Sequence, residues 1–133
     1  LPLKAFRGRG ETVLVVDDEQ NQREIATQML TALGYKAVAV ASGADALDYV
    51  AKQPVDLILL DMIMPTTMSG LETYQRIVQR YPGQRAVIAS GFSVNEDVAA
   101  AQKAGAGEFI KKPYSLEKLG LAVRKELSRN PRT

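Results

Sequence analysis

Five short apolar runs, at residues 12–17, 36–41, 55–60, 85–90 and 107–110, alternate along the chain with stretches whose apolar residues recur at helical spacing. The runs take their larger side chains from Val, Ile, Leu and Phe and are of strand length. Such an alternation restricts the fold to an open parallel sheet with helices on both faces, because each helix returns the chain to the edge where the next strand starts. In the first helical stretch Ile25, Met29, Leu30 and Leu33 form an apolar stripe, and Gly34 stands where a C-terminal cap belongs. The second runs from about Gly43 to Lys52, with Leu47, Val50 and Ala51 on one face, before Pro54 stops it. The third carries Leu71, Tyr74, Ile77 and Val78 and ends at Tyr81-Pro82-Gly83. The fourth is Ala-rich, from Val94 to Ala104, and closes at Gly105. The fifth places Leu116, Leu119, Val123 and Leu127 behind Ser115 as N-cap.

At 133 residues, 46% hydrophobic and 24% charged, the chain has the size and composition of one globular domain. Residues 1–10, with Pro2, Gly8 and Gly10 among basic residues, read as a linker; 11–128 form the domain and 129–133 a C-terminal tail. No apolar stretch approaches the ~20 residues of a membrane-spanning helix, and no secretory leader is visible at the start. The chain contains no Cys and no His. That excludes a disulfide framework, a thiol nucleophile, a Ser-His-Asp triad, a His-ligated zinc site and a phosphohistidine within these residues. A net charge of +2, with Arg7, Arg9, Arg129 and Arg132 in the tails, is no nucleic-acid footprint. The expectation is a cytoplasmic domain that touches neither membrane nor nucleic acid.

The first apolar run ends in Asp17-Asp18 and the third in Asp61. Ionised carboxylates at the ends of buried strands lose more hydration than an apolar core returns. In an open parallel sheet these ends meet at one edge, where ligands bind beside the switch in strand order. At ~4 Å and an effective dielectric near 20, each pair of acids repels by about 4 kcal/mol, so a cation is required among them. Oxygen-only ligands suit a hard ion that keeps several waters, Mg²⁺ before zinc or copper. Lys112 leaves strand five on the same edge, Ser90 ends strand four, and Gly91 after it lets a ligand approach a backbone N–H. Each feature alone has an ordinary reading as a turn, a cap or a solvated charge. Together, acids, lysine, hydroxyl and glycine amide fit a phosphoryl group carried with Mg²⁺.

These residues resemble the receiver domain of two-component response regulators. The resemblance runs from about Glu11 to Leu127 and rests on Val-Val-Asp17-Asp18-Glu19, Asp61-Met-Ile-Met-Pro65, Ala-Ser90-Gly91 and Phe109-Ile-Lys-Lys112-Pro113. It implies a flavodoxin-like (βα)5 three-layer sandwich with strand order 2-1-3-4-5. It implies that Asp61 is the phosphoacceptor, attacking a phosphohistidine to form an acyl phosphate. Asp18, with Asp17 partly through water, would bind Mg²⁺ together with Asp61 and the backbone carbonyl of Ile63. Lys112 and the backbone at Met62 and Gly91 would hold the phosphoryl group, Lys111 would be a surface charge, and the Lys112–Pro113 bond would be cis. Ser90 and Phe109 would act as switch residues reshaping the face of helix four, strand five and helix five.

Two departures from the family pattern matter. The loop Pro65-Thr-Thr-Met-Ser-Gly70 is one residue longer than the usual turn. Ile63 and Phe92 stand two residues beyond the acceptor and the switch hydroxyl, and neither can orient a hydrolytic water, so slow self-dephosphorylation is expected. The implied partners are a histidine kinase or a histidine phosphotransfer domain, with a homodimer through helices four and five also possible. The Leu-Pro-Leu start, the basic linker and Ser90-Gly91-Phe92-Ser93 resemble receivers attached behind a hybrid histidine kinase. Two other readings are a degenerate receiver that only binds proteins and a phosphatase similar to the haloacid dehalogenases. The second wants Asp-x-Asp at the nucleophile, where this chain has Ile63. A flavin site lacks its Ser/Thr/Gly phosphate loop after strand one.

Overall fold

The computed structural model describes residues 7–65, 68–91 and 95–129. Strands β1 (Thr12–Val16), β2 (Lys36–Val40), β3 (Leu57–Asp61), β4 (Ala86–Ser90) and β5 (Phe109–Lys111) alternate with helices α1 (Gln20–Ala32), α2 (Gly43–Lys52), α3 (Gly70–Arg80), α4 (Glu96–Lys103) and α5 (Leu116–Ser128). The strands form one parallel sheet in the order β2-β1-β3-β4-β5. The switch in strand order therefore falls between β1 and β3, the place where such sheets open a crevice at their carboxyl ends.

Period-two alternation divides the sheet between two cores. Leu14, Val16, Ile58, Leu60 and Ile88 face α2, α3 and α4, meeting Ala46, Val50, Tyr74, Ile77 and Val98. Val13, Val15, Leu57, Leu59 and Val87 face α1 and α5, meeting Ala26, Leu30, Leu33, Leu119 and Val123. β3 and β4 are buried along their whole length, as strands covered on both faces must be. β2 is an edge strand and leaves Lys36 and Ala39 exposed.

The helix stripes differ from the sequence expectation in two places. In α1 Ile25 is 44% exposed, and Ala26 is buried in its stead. The inward face follows Ala26, Leu30 and Leu33, with Met29 at its margin, so a small residue meets the sheet and Ile25 is rotated outward. In α2 Ala51 is exposed and Gly43, Ala46 and Val50 are buried. A Cβ on Gly43 would lie 2.1 Å from Thr73 Oγ1, so the small residue lets α2 close on α3. Helix α4 starts at Glu96 rather than Val94, because Asn95 caps it by accepting from the Val98 N–H; Val94 itself lies outside the described residues. Ser42, Ser69 and Ser115 cap α2, α3 and α5 in the same way, each cap worth about 1 kcal/mol.

Of the expected linker, residues 1–6 lie outside the described residues, whereas Gly8 and Gly10 donate backbone hydrogen bonds to Leu33 O (2.6 Å) and Gly34 O (3.0 Å). At the other end Arg129 pairs with Glu126 (2.7 Å) and donates to Gly105 O (2.8 Å), and residues 130–133, with Arg132, lie outside the described residues. Among the described residues no helix is long and apolar enough to cross a membrane. The two stripe assignments separate in a stability measurement. Leu30→Ala should cost about 2–5 kcal/mol in urea unfolding, whereas Ile25→Ala should stay within about 0.5 kcal/mol of wild type.

Candidate functional site

Strand register assembles the site. Val16 pairs with Leu60, so the next step along each strand sets Asp17 beside Asp61. Asp61 pairs with Ala89, and Ser90 with Lys111. All of these ends lie at the carboxyl edge of a parallel sheet, beside the switch point. One carboxylate oxygen from each of Asp17, Asp18 and Asp61 lies within 4.8 Å of the others. Asp18, Asp61, Gly91 and Lys112 line an open cleft together with Glu19, Gln22, Ile63 and Pro65. A larger hollow beside the end of α5 lies away from these acids.

The three acids are held differently. Asp17 is 5% exposed; its Oδ1 accepts from the Glu19 N–H (3.0 Å) and its Oδ2 from Lys112 Nζ (2.5 Å). Its backbone carbonyl accepts from Arg23 Nη1 at 2.9 Å. Asp18 is half-buried, and its carboxylate takes no hydrogen bond among the described residues. Asp61 is 7% exposed; its Oδ1 accepts from the Ile63 N–H at 3.3 Å and lies 3.6 Å from Lys112 Nζ. Burial is the main force raising its pKa from 3.8 to about 6, opposed by Lys112, reinforced by Asp17, opposed by the Ile63 N–H and reinforced weakly by Asp18. Burial, and then the charges of Asp17 and Asp61, push the Tyr114 phenol up to about 12.

The remaining candidates are placed as follows. The Lys112–Pro113 peptide bond is cis, and the Lys112 N–H donates to Ser90 O at 2.8 Å. Ser90 is 2% exposed. Gly91 is exposed, and a Cβ there would meet nothing within 4 Å, so neighbouring protein does not demand glycine; its effect is to leave the cleft wall open. Phe109 is half-buried against the core shared with α2, α3 and α4, and Lys111 is exposed. One assignment needs correction. The Met62 N–H donates to Ala89 O at 3.0 Å and extends the β3–β4 ladder, so it is not free for a phosphoryl oxygen. The neighbouring amide that points at the Asp61 carboxylate belongs to Ile63. Thr66, Thr67, Phe92 and Ser93 lie outside the described residues.

Two contributors carry no motif signal. Arg23 is a surface-type residue one turn into α1. Gly70 opens α3, and a Cβ there would lie 2.4 Å from the Asp61 carbonyl oxygen and 2.7 Å from Met62 Cα. Only glycine lets α3 approach the end of β3 this closely. The donor set also passes a test for a metal. Three carboxylates converge on one point with one lysine against them. The residual negative charge and the all-oxygen ligands fit a hard divalent cation.

This arrangement defines a doubly wound α/β domain with an acidic edge at its switch point whose ligand set fits a divalent cation. Residues 13–124 match the family model described as "Response regulator receiver domain", and the chain belongs to that family. As such it is a phosphoacceptor domain of two-component signalling. It is 33% identical over 114 residues to a putative NtrX-like response regulator of Rickettsia bellii, a match covering 85% of this chain and 24% of that protein. It is 31% identical over 117 residues to sporulation initiation phosphotransferase F of Bacillus subtilis, covering 88% of this chain and 94% of that one. The crystal structure of the receiver domain of NtrX from Brucella abortus superposes with a TM-score of 0.83 at 27% identity, covering 89% and 99% of the two chains. The chain spans about a quarter to a half of the length of the first curated relatives it matches.

The Asp61 shift has a sign that can be measured without metal. The unfolded carboxyl ionises near 3.8 and the folded one near 6. The folded state therefore holds the extra proton between these values, and stability falls as pH rises through them. Asp61→Asn should unfold at the same denaturant concentration as wild type at about pH 3.5 and be the more stable by on the order of 2 kcal/mol above about pH 7. Gly70→Ala should destabilise by more than about 2 kcal/mol, because what must yield to its Cβ is backbone; urea titration reads both.

Proposed function

We propose that Asp61 is the phosphoacceptor of this receiver domain. The supporting observation is the unequal commitment of the acids. Lys112 and the Glu19 amide occupy both oxygens of Asp17, whereas Asp61 sits in the cleft with Oδ1 steadied by the Ile63 N–H and Oδ2 left for attack. Oδ2 attacks phosphorus in line; the new O–P bond forms as the N–P bond of a donor phosphohistidine breaks, and the leaving imidazole takes up a proton. No histidine occurs among the 133 residues, so the donor belongs to a histidine kinase or phosphotransfer domain outside them.

Asp18 and Asp61, with the Ile63 carbonyl and Asp17 partly through water, would hold Mg²⁺, which when bound neutralises the charge between the acids and the incoming phosphoryl oxygens. Lys112, within 3.6 Å of Asp61, moves its charge from Asp17 toward a phosphoryl oxygen. The Ile63 and Gly91 amides and the Ser90 hydroxyl supply hydrogen bonds to the other oxygens. Drawing Ser90 toward the phosphoryl group and turning Phe109 inward behind it passes the signal to the α4–β5–α5 face. Hydrolysis of the acyl phosphate is slow, since Ile63 offers an apolar, 39% exposed side chain where a water would need a hydrogen-bonding partner.

Incubation with acetyl phosphate and Mg²⁺ should label wild type with an acid-stable, alkali-labile phosphoryl group, and chelation of Mg²⁺ should prevent it. Asp61→Asn should take no such label; if it does, Asp61 is not the acceptor. Lys112→Met should slow labelling on the order of 10²-fold. The purified phosphoprotein should persist well beyond seconds in Mg²⁺, and Ile63→Asn should shorten its life; decay of wild type within seconds contradicts the hydrolysis reading.

A further inference from the structure

Arg23 makes a bond whose chemistry does not match its charge. It sits one turn into α1, its backbone held by its own N–H to Glu19 O (3.0 Å) and by Thr27 Oγ1 donating to its carbonyl (2.9 Å). With its backbone fixed, the side chain reaches back to the end of β1. There Nη1 donates to the neutral carbonyl of Asp17 at 2.9 Å, in a partly buried setting. Arg23 forms no ion pair among the described residues, although an acidic cluster begins at the residue whose carbonyl it holds.

The carbonyl in question belongs to the peptide unit joining Asp17 to Asp18. A peptide unit is planar, so fixing its oxygen fixes the direction in which the chain enters Asp18. Asp17 needs little help, since both its carboxylate oxygens already accept hydrogen bonds. Asp18 has no side-chain hydrogen bond among the described residues, and its aim depends on the backbone beneath it. Loss of the Arg23 bond would also leave a partly buried carbonyl to find another partner, which favours rotation of that peptide plane.

We propose that Arg23 is a positioning residue for the metal-holding pair, aiming Asp18 into the cleft through the Asp17 carbonyl and thereby tightening divalent-cation binding in spite of its own positive charge. The inference rests on the reading of Asp17 and Asp18 as metal ligands. It makes a prediction opposite in sign to that of simple electrostatics. A bare cation beside the site repels Mg²⁺, so its removal would tighten binding and its replacement by lysine would change nothing. A positioning bond does the reverse. Guanidinium geometry then matters as well as charge, since lysine has a shorter reach and a single donor atom.

The test is Mg²⁺ binding by calorimetry on wild type, Arg23→Met, Arg23→Lys and Asp18→Asn, with thermal melts of each in chelator. Arg23→Met should weaken Mg²⁺ binding roughly 10-fold, the order found when partners behind metal ligands are removed. Arg23→Lys should fall between wild type and Arg23→Met. Asp18→Asn should bind far more weakly than wild type, and in its background Arg23→Met should add little. Arg23→Met that binds Mg²⁺ as tightly as wild type, or tighter, overturns the proposal. If Arg23→Met does not fold, Arg23→Lys decides: affinity equal to wild type overturns it too. Failure of the underlying reading looks different, as wild type that does not bind Mg²⁺ or Asp18→Asn that binds it undiminished.

Discussion

Lys112 Nζ stands between Asp17 and Asp61, 2.5 Å from one and 3.6 Å from the other, and the placement of the acids depends on that bridge. Two largely buried carboxylates on neighbouring strands, with Asp18 beside them, repel strongly where little water is left to screen them. A single ammonium does not balance three acids; burial first, and then the charge of Asp17 against the opposing pull of Lys112, leaves the Asp61 carboxyl raised to about 6. The edge is thus unfinished in its charge, and that incompleteness is what fits it to a divalent cation. A charge-balanced edge would be the more stable fold and the poorer switch.

Most of this was legible in the sequence, because it depends on period and order. Strand–helix alternation specifies a parallel sheet, and a parallel sheet gathers the ends of its strands at one edge. Val13 to Val16 and Leu57 to Leu60 announce buried strands, so the acids that follow them had to meet. Finer placements were not legible. Ile25 and Ala51 read as inward-facing by hydrophobicity, yet Ala26 and Ala46 take the inward positions, since the rotation of each helix on the sheet sets its face, along Ala26, Leu30 and Leu33 in α1 and Gly43, Ala46 and Val50 in α2. The use of the Met62 amide could not be read either. It depends on the β3–β4 ladder continuing one step past Asp61, which is a matter of register between strands far apart in sequence.

Arg23 and Gly70 belong to a third kind of residue, whose type is ordinary and whose meaning is entirely positional. An arginine on an amphipathic helix is normally solvated, and a glycine after a serine cap is unremarkable. One meets the strand-end carbonyl of Asp17 and the other removes a Cβ from the path of the Asp61 backbone, and each partner lies across a turn of the chain that no periodicity spans. Sequence patterns report faces and periods. They do not report close approach.

The tight seat of α3 on β3 has a consequence for how a signal can leave the site. With the Gly70 Cα packed against the Asp61 carbonyl and the Gly70 N–H donating to Met62 O at 3.3 Å, the main chain on that side of the acceptor is clamped. On the opposite flank Gly91 is exposed, a Cβ built on it would meet nothing within 4 Å, and the Lys112 N–H donates to Ser90 O. Whatever adjustment an occupied cleft asks of the Asp61 backbone therefore has least room toward α3, where the packing does not admit even a Cβ.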